Sequence, residues 1–200
     1  MAAAQPQSIG QSRFGVAING ILLDPAGPWW RGDYRTDWQF EVMSERIRHY
    51  IGLDASNGHV QPSGAYHYHG TPERYVKQLA RTRVQSRAPG VDSLLLIGWA
   101  ADGYPIYRPF MPDTAAGSRA LSRELRPSYR LKAGLRPAGA PLGSYDGTFA
   151  KDYEYVAGVG DLDECNGMWL ATTPEYPSGT YAYFVTRDFP HIPRRWRGQP

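Results

Sequence analysis

Glycine and proline punctuate this chain so densely that long uninterrupted elements have little room. With 22 Gly and 17 Pro among 200 residues, the fold is expected to be loop-rich and built of short segments. A hydrophobic content of 42% and a net charge of +3 are those of a globular chain, and the length suits one domain with a single sizeable core. The lone cysteine, Cys165, excludes any disulfide within the chain, so packing, hydrogen bonds or a bound ion must hold the fold. The longest mainly apolar run, residues 93–101, falls far short of the roughly 20 residues that cross a bilayer. Residues 1–12 read as a flexible N-terminus and 13–198 as one domain. The start lacks a basic and then apolar export signal, which fits either a cytosolic protein or the mature form of an exported one.

Short elements can be placed along that domain. The segment from Arg13 to Leu23 reads as a hairpin around Asn19-Gly20, and the segment from Leu94 to Tyr107 as another around Asp102-Gly103, with Pro105 demoting its second arm to an edge or irregular strand. Asp37 is a plausible cap for a helix carrying Phe40, Met43, Ile47 and Tyr50 toward the core, and Thr71-Pro72-Glu73 opens a second helix with Tyr75, Val76 and Leu79 inward. A short arginine-rich helix is expected at 118–125, a long surface loop at 128–148, and strands at 153–156 and 180–186. Strands and helices do not alternate regularly. The expected class is therefore α+β, mainly β: an antiparallel or mixed sheet core with two or three peripheral helices and long loops.

Charge is segregated. Arginines gather at 74–87 and 119–136, whereas residues 146–164 carry Asp146, Asp152, Glu154, Asp161, Asp163 and Glu164 against the single base Lys151, a local balance of 1 − 6 = −5. This suits either a cation site or solvated surfaces. The modest overall charge, without a helix-turn-helix, zinc-finger or RNA-recognition signature, argues against nucleic acid as a partner.

The densest chemical signal is the run from Asn57 to Gly70, which contains His59, His67 and His69. Residues two apart in a strand share a face, so His67 and His69 project together at roughly 6 to 7 Å between Cα atoms, while Tyr66 and Tyr68 turn to the other side. The Pro62-Ser63-Gly64 turn can fold His59 back beside them. Three imidazoles with an open fourth position are the donor set of a zinc or copper centre. The alternative is three polar-face histidines hydrogen-bonded within the protein. Each ligand's second nitrogen needs a partner, and Asp163 and Glu164 are the carboxylates expected to supply it. His49 reads as surface, and His191 lies in a tail able to reach the site.

Tyr66-His67-Tyr68-His69 resembles the signature of the YHYH-domain proteins, a mainly bacterial group, often exported. Further segments resemble that domain in order: Gly20 to Pro25, His59 to Pro62, Ile97 to Tyr107, Tyr145 to Phe149, Asp152 to Tyr155, Asp161 to Gly167 and Thr173 to Pro177. The resemblance implies a periplasmic or extracellular location. Similar family members carry a histidine where this chain has Asn57, so an amide replaces a fourth imidazole. They also tend to have a second cysteine where Arg195 stands, and the disulfide the resemblance implies cannot form here.

Other motifs carry less. The segment from Asp161 to Gly167 is one residue off the EF-hand spacing, and Thr172 stands where a bidentate Glu is required. Neighbouring acids disfavour a Cys165 thiolate. Serine-hydrolase, P-loop and dinucleotide fingerprints are missing. Two functional expectations follow. The first is a copper- or zinc-binding protein with His59, His67 and His69 as ligands, supported by Asn57, Asp163, Glu164, Tyr66 and Tyr68, and able to act as an oxidoreductase or hydrolase on a small-molecule substrate. The second is a non-enzymatic module holding a glycan or anionic polymer on surface arginines and aromatics such as Trp29, Trp30, Trp38, Trp169 and Trp196.

Overall fold

A computed structural model describes residues 5–10, 13–86, 94–112 and 122–200. In chain order its strands are β1 (Gln7–Ser8), β2 (Gly15–Ala17), β3 (Leu22–Leu23), β4 (Gly58–Val60), β5 (Tyr66–Tyr68), β6 (Leu96–Ala100) and β7 (Pro105–Tyr107). They continue with β8 (Phe110–Pro112), β9 (Ser122–Glu124), β10 (Tyr129–Leu131), β11 (Tyr153–Tyr155), β12 (Gly167–Leu170), β13 (Thr180–Phe184) and β14 (Arg195–Trp196). The α-helices among the described residues are α1 (Glu45–Tyr50) and α2 (Glu73–Ser86). Eight strands form one mixed sheet in the order β12-β13-β7-β6-β2-β3-β5-β4, and three two-stranded ribbons flank it. The mainly β, single-domain architecture with long loops is the one the sequence pattern predicts. No described helix is long and apolar enough to cross a membrane.

Both predicted hairpins form. Ala17 N–H donates to the Ile21 carbonyl around Asn19-Gly20, and Ala100 N–H to the Tyr104 carbonyl around Asp102-Gly103. The strand carrying Pro105 is not an edge, however: β7 lies between β6 and β13. Pro105 is its first residue, a position where a missing N–H leaves the ladder intact.

Alternation along the strands divides the buried side chains between the two faces of the sheet. Tyr181 and Tyr183 of β13 join Phe14, Leu23, Tyr68, Ile97 and Ile106 in the larger core, on which Val76 and Leu79 of α2 pack. Ala182 and Phe184 point the opposite way, into a second core with Tyr107, Leu125, Leu162 and Leu170. Each Leu, Ile, Val or Phe among them contributes about 1.5 to 3 kcal/mol when fully buried, so two packed faces hold the sheet without a disulfide.

Three local expectations are corrected. The first helix begins at Glu45, not after Asp37. Asp37 is left-handed at φ 57, and residues 38–41 are extended because their backbone bonds to distant partners: Phe40 N–H to the Pro28 carbonyl and Glu41 N–H to the Thr148 carbonyl. Tertiary pairing overrides the local period there, and Tyr50, expected inward, is 86% exposed. Of the arginine-rich helix expected at 118–125, residues 118–121 lie outside the described residues, while Ser122–Glu124 is a strand paired with β8. The loop expected over 128–148 begins with β10, which pairs with β11. Ahead of the first hairpin, β1 pairs with β14 and Ile9 is buried in the larger core.

The segregated charges meet across the fold. Arg136 pairs with Asp146 and Asp152, Arg123 with Asp161, Arg130 with Glu154, and Arg195 with Glu164 at 3.8 Å. The acidic stretch thus answers arginines, and among the described residues it forms no group placed to hold a cation.

Candidate metal centre

The histidines are placed by a short hairpin at one edge of the sheet. Gln61 N–H donates to the Ala65 carbonyl and Gly64 N–H to the Gln61 carbonyl, closing a tight turn in which Gly64 takes φ 86. That turn sets the register of β4 on β5, with His59 directly opposite His67. His69 lies one step further along, on the same face, and its N–H donates to the Asn57 carbonyl at 2.8 Å. On the other face Tyr68 is buried in the larger core and accepts from the Asn19 amide, and the Tyr66 hydroxyl donates to Asp54 at 2.7 Å. The two tyrosines therefore anchor the strand from behind without touching the imidazoles' chemistry.

The three rings converge. Nε2 of His67 lies 2.8 Å from Nε2 of His69, which in turn lies 3.1 Å from Nε2 of His59. His67 and His69 are only 2% and 4% exposed, and His59 is half-buried. These separations approach the value of about 3.3 Å expected between nitrogens placed tetrahedrally at about 2.0 to 2.1 Å from one ion. Hydrogen bonding alone serves the cluster badly. Nδ1 of His67 faces the Ala65 carbonyl at 3.4 Å, which favours the tautomer with a lone pair on Nε2. Nε2 of His69 carries at most one proton for its two neighbours, and its buried Nδ1 has no partner. A cation at the meeting point would use all three lone pairs at once. This three-histidine group is one that could hold a metal ion.

Burial depresses the pKa of the two inner rings, His67 and His69. His69 is driven down to about 3 by burial, with the charges of His67 and His59 adding to the effect. His67 is lowered by burial too, opposed by the Ala65 carbonyl and the Asp24 carboxylate. Both rings are neutral at pH 7, the state in which imidazole binds metal.

The carboxylate beside the rings is Asp24, which the sequence analysis passed over. It directly follows β3, whose parallel pairing with β5 brings Asp24 N–H to the Tyr68 carbonyl and its Oδ2 to 3.9 Å from Nε2 of His67. Asp24 is 2% exposed and is held by an ion pair with Arg13 and by the Ala26 N–H at 2.9 Å. Arg13 also donates to the Gln61 side chain at 3.1 Å, lashing the turn to the site. The only signal for Asp24 in the sequence was its place in the Gly20 to Pro25 segment. The long-range pairing that makes it a neighbour left no local trace. A cavity of about 200 Å³ opens onto the cluster, lined by the three histidines, Arg13, Asp24 and Gln61 among others.

Other expected residues lie elsewhere. Asp163 accepts the Tyr181 hydroxyl at 2.9 Å together with the Cys165 and Gly167 N–H groups, and Glu164 faces Arg195. Neither lines the histidine cavity. The Asn57 side chain accepts from Arg48 and donates to the Thr71 carbonyl, so only its backbone touches His69. His49 is exposed, as expected, and His191 lines a different cavity. Cys165 is fully buried and its thiol is pushed up to about 12, chiefly by burial and then by Asp163 and Glu164, which suits a packing residue. Trp38 and Trp196 are buried, and the Trp196 indole donates to the Phe14 carbonyl, so two of the five tryptophans considered for glycan stacking belong to the interior.

Fold and site together define a mainly β protein built on an eight-stranded mixed sheet, with a largely buried three-histidine cluster at one edge of that sheet. The chain belongs to the YHYH protein family, whose profile matches residues 1–198. Neither the curated proteins nor the solved structures gave a match.

Proposed function

We propose that this protein binds one divalent transition metal ion, copper or zinc, through Nε2 of His59, His67 and His69. The convergence of three imidazole nitrogens at 2.8 and 3.1 Å supports this reading most directly. Imidazole donors suit both ions. The adjoining cavity leaves a further coordination position facing solvent-sized ligands. Bound there, zinc would supply Lewis-acid activation of water, and copper one-electron chemistry. Asp24, whose carboxylate lies beside the ligating Nε2 of His67, offsets the ion's charge.

Metal analysis after chelator stripping, reloading and desalting tests the reading. One equivalent per chain is expected for the unaltered protein, and essentially none for the folded double variant His67→Ala, His69→Ala. Equal loading of both proteins would overturn the assignment. A second measurement separates Asp24 from the acids of the 146–164 stretch: Asp24→Asn should weaken metal affinity about 10- to 100-fold, whereas Glu164→Gln should leave it unchanged.

A further inference from the structure

A second concave feature, which the histidine centre does not use, is a cavity of about 390 Å³, within the range of small-molecule sites. Three guanidiniums line it, each from a different part of the fold: Arg48 on α1, Arg108 directly after β7, and Arg187 shortly after β13. Arg123, Arg130, Arg136 and Arg194 each take a carboxylate partner. The three cavity arginines do not. Arg48 donates to the Asn57 side-chain oxygen at 3.2 Å, and Arg108 rests over the Phe110 ring at 4.5 Å. Among the described residues none of the three forms an ion pair, although Glu73 and Glu124 line the same cavity. His191, also on the wall, has a buried Nδ1 without a hydrogen-bond partner. The backbone of His191 is held at φ 59, a conformation L residues rarely adopt.

We propose that this cavity binds a small molecule through one anionic group, a carboxylate or a phosphate, placed among Arg48, Arg108 and Arg187. Guanidinium is the side chain best matched to such groups, because its planar donors meet two oxygens at once. Glu73 and Glu124 restrict the choice: a polyanion spanning the cavity would meet both carboxylates, whereas a single anionic head among the arginines need not. The site shares no lining residue with the histidine cavity, so the proposal does not require a bound metal.

Calorimetric titration of metal-stripped, dialysed full-length protein with inorganic phosphate, and separately with acetate, tests this. Saturable binding of either probe is expected, phosphate alone pointing to a phosphate ester and acetate alone to a carboxylate. Arg108→Gln and Arg187→Gln should each weaken that binding by about tenfold or more, while Arg35→Gln, an exposed arginine outside the cavity, should leave it unaltered. Circular dichroism establishes that each variant is folded, and if Arg108→Gln is not, Arg187→Gln decides. No saturable binding of either probe, or equal weakening in Arg35→Gln, would overturn the proposal.

Discussion

Metal-stripped protein is expected to lose about 2.5 kcal/mol of unfolding free energy between pH 7 and pH 4.5 through His69 alone. In the folded chain His69 titrates at about 3, against 6.5 for an unconstrained histidine. Between those values the unfolded chain takes up a proton that the folded chain refuses, so stability rises with pH across the window. The contribution is complete above about 6.5 and is lost progressively as pH falls toward 3. Burial lowers His67 and His191 as well, and both add in the same direction. Urea unfolding of the stripped protein at the two pH values measures the slope, and the same pair of measurements on His69→Ala isolates the ring. An equal slope in the variant would show that His69 does not carry the effect. A bound cation holding the three rings deprotonated would make the loaded protein more stable than the stripped one at pH 7, with the advantage fading as protons compete for the nitrogens.

Asp152→Ala is expected to cost about 3 to 5 kcal/mol. Asp152 is completely buried and Arg136 is only 3% exposed at its side chain. They meet through two parallel bonds, Nε to Oδ1 at 2.7 Å and Nη2 to Oδ2 at 2.6 Å. The same carboxylate accepts the Gly147 and Phe149 N–H groups, so its removal leaves a buried guanidinium without its main partner and two backbone donors unanswered. Asp146→Ala is the control. Asp146 also binds Arg136, at 2.5 Å, but it is largely exposed, so its loss should cost no more than about 1 kcal/mol. Chemical denaturation of the two variants gives the comparison directly, and equal losses would show that burial does not set the strength of this pair. On a total stability of about 5 to 15 kcal/mol, a loss of the predicted size leaves Asp152→Ala close to unfolding at physiological temperature.

Much of the site was legible because its geometry is local. Two histidines at strand spacing must share a face, and a Pro-Ser-Gly turn of the observed length returns His59 to a position opposite His67. The hairpins at Asn19-Gly20 and Asp102-Gly103 are legible for the same reason: turn residues act on the few bonds next to them. The helix expected from Asp37 failed where residues 38–41 bond to Pro28 and Thr148, partners that no window along the chain contains. The acidic stretch misled in a related way. Its excess charge is real, but the arginines that answer it come from 123–136 and from Arg195, and only folding brings them together.

By itself, then, the order of residues determined a loop-rich, mainly β domain and three imidazoles gathered on one short hairpin, because periodicity and turn chemistry operate between near neighbours. The tertiary structure decided which carboxylate stands beside those rings. Asp24 reaches His67 through the parallel pairing of β3 with β5, across more than 40 residues of intervening chain. Asp163 and Glu164, nominated by composition, went to Tyr181 and Arg195 instead. Strand order in a mixed sheet is settled by the packing of both faces at once, and that information is distributed over the whole core rather than written at any one position.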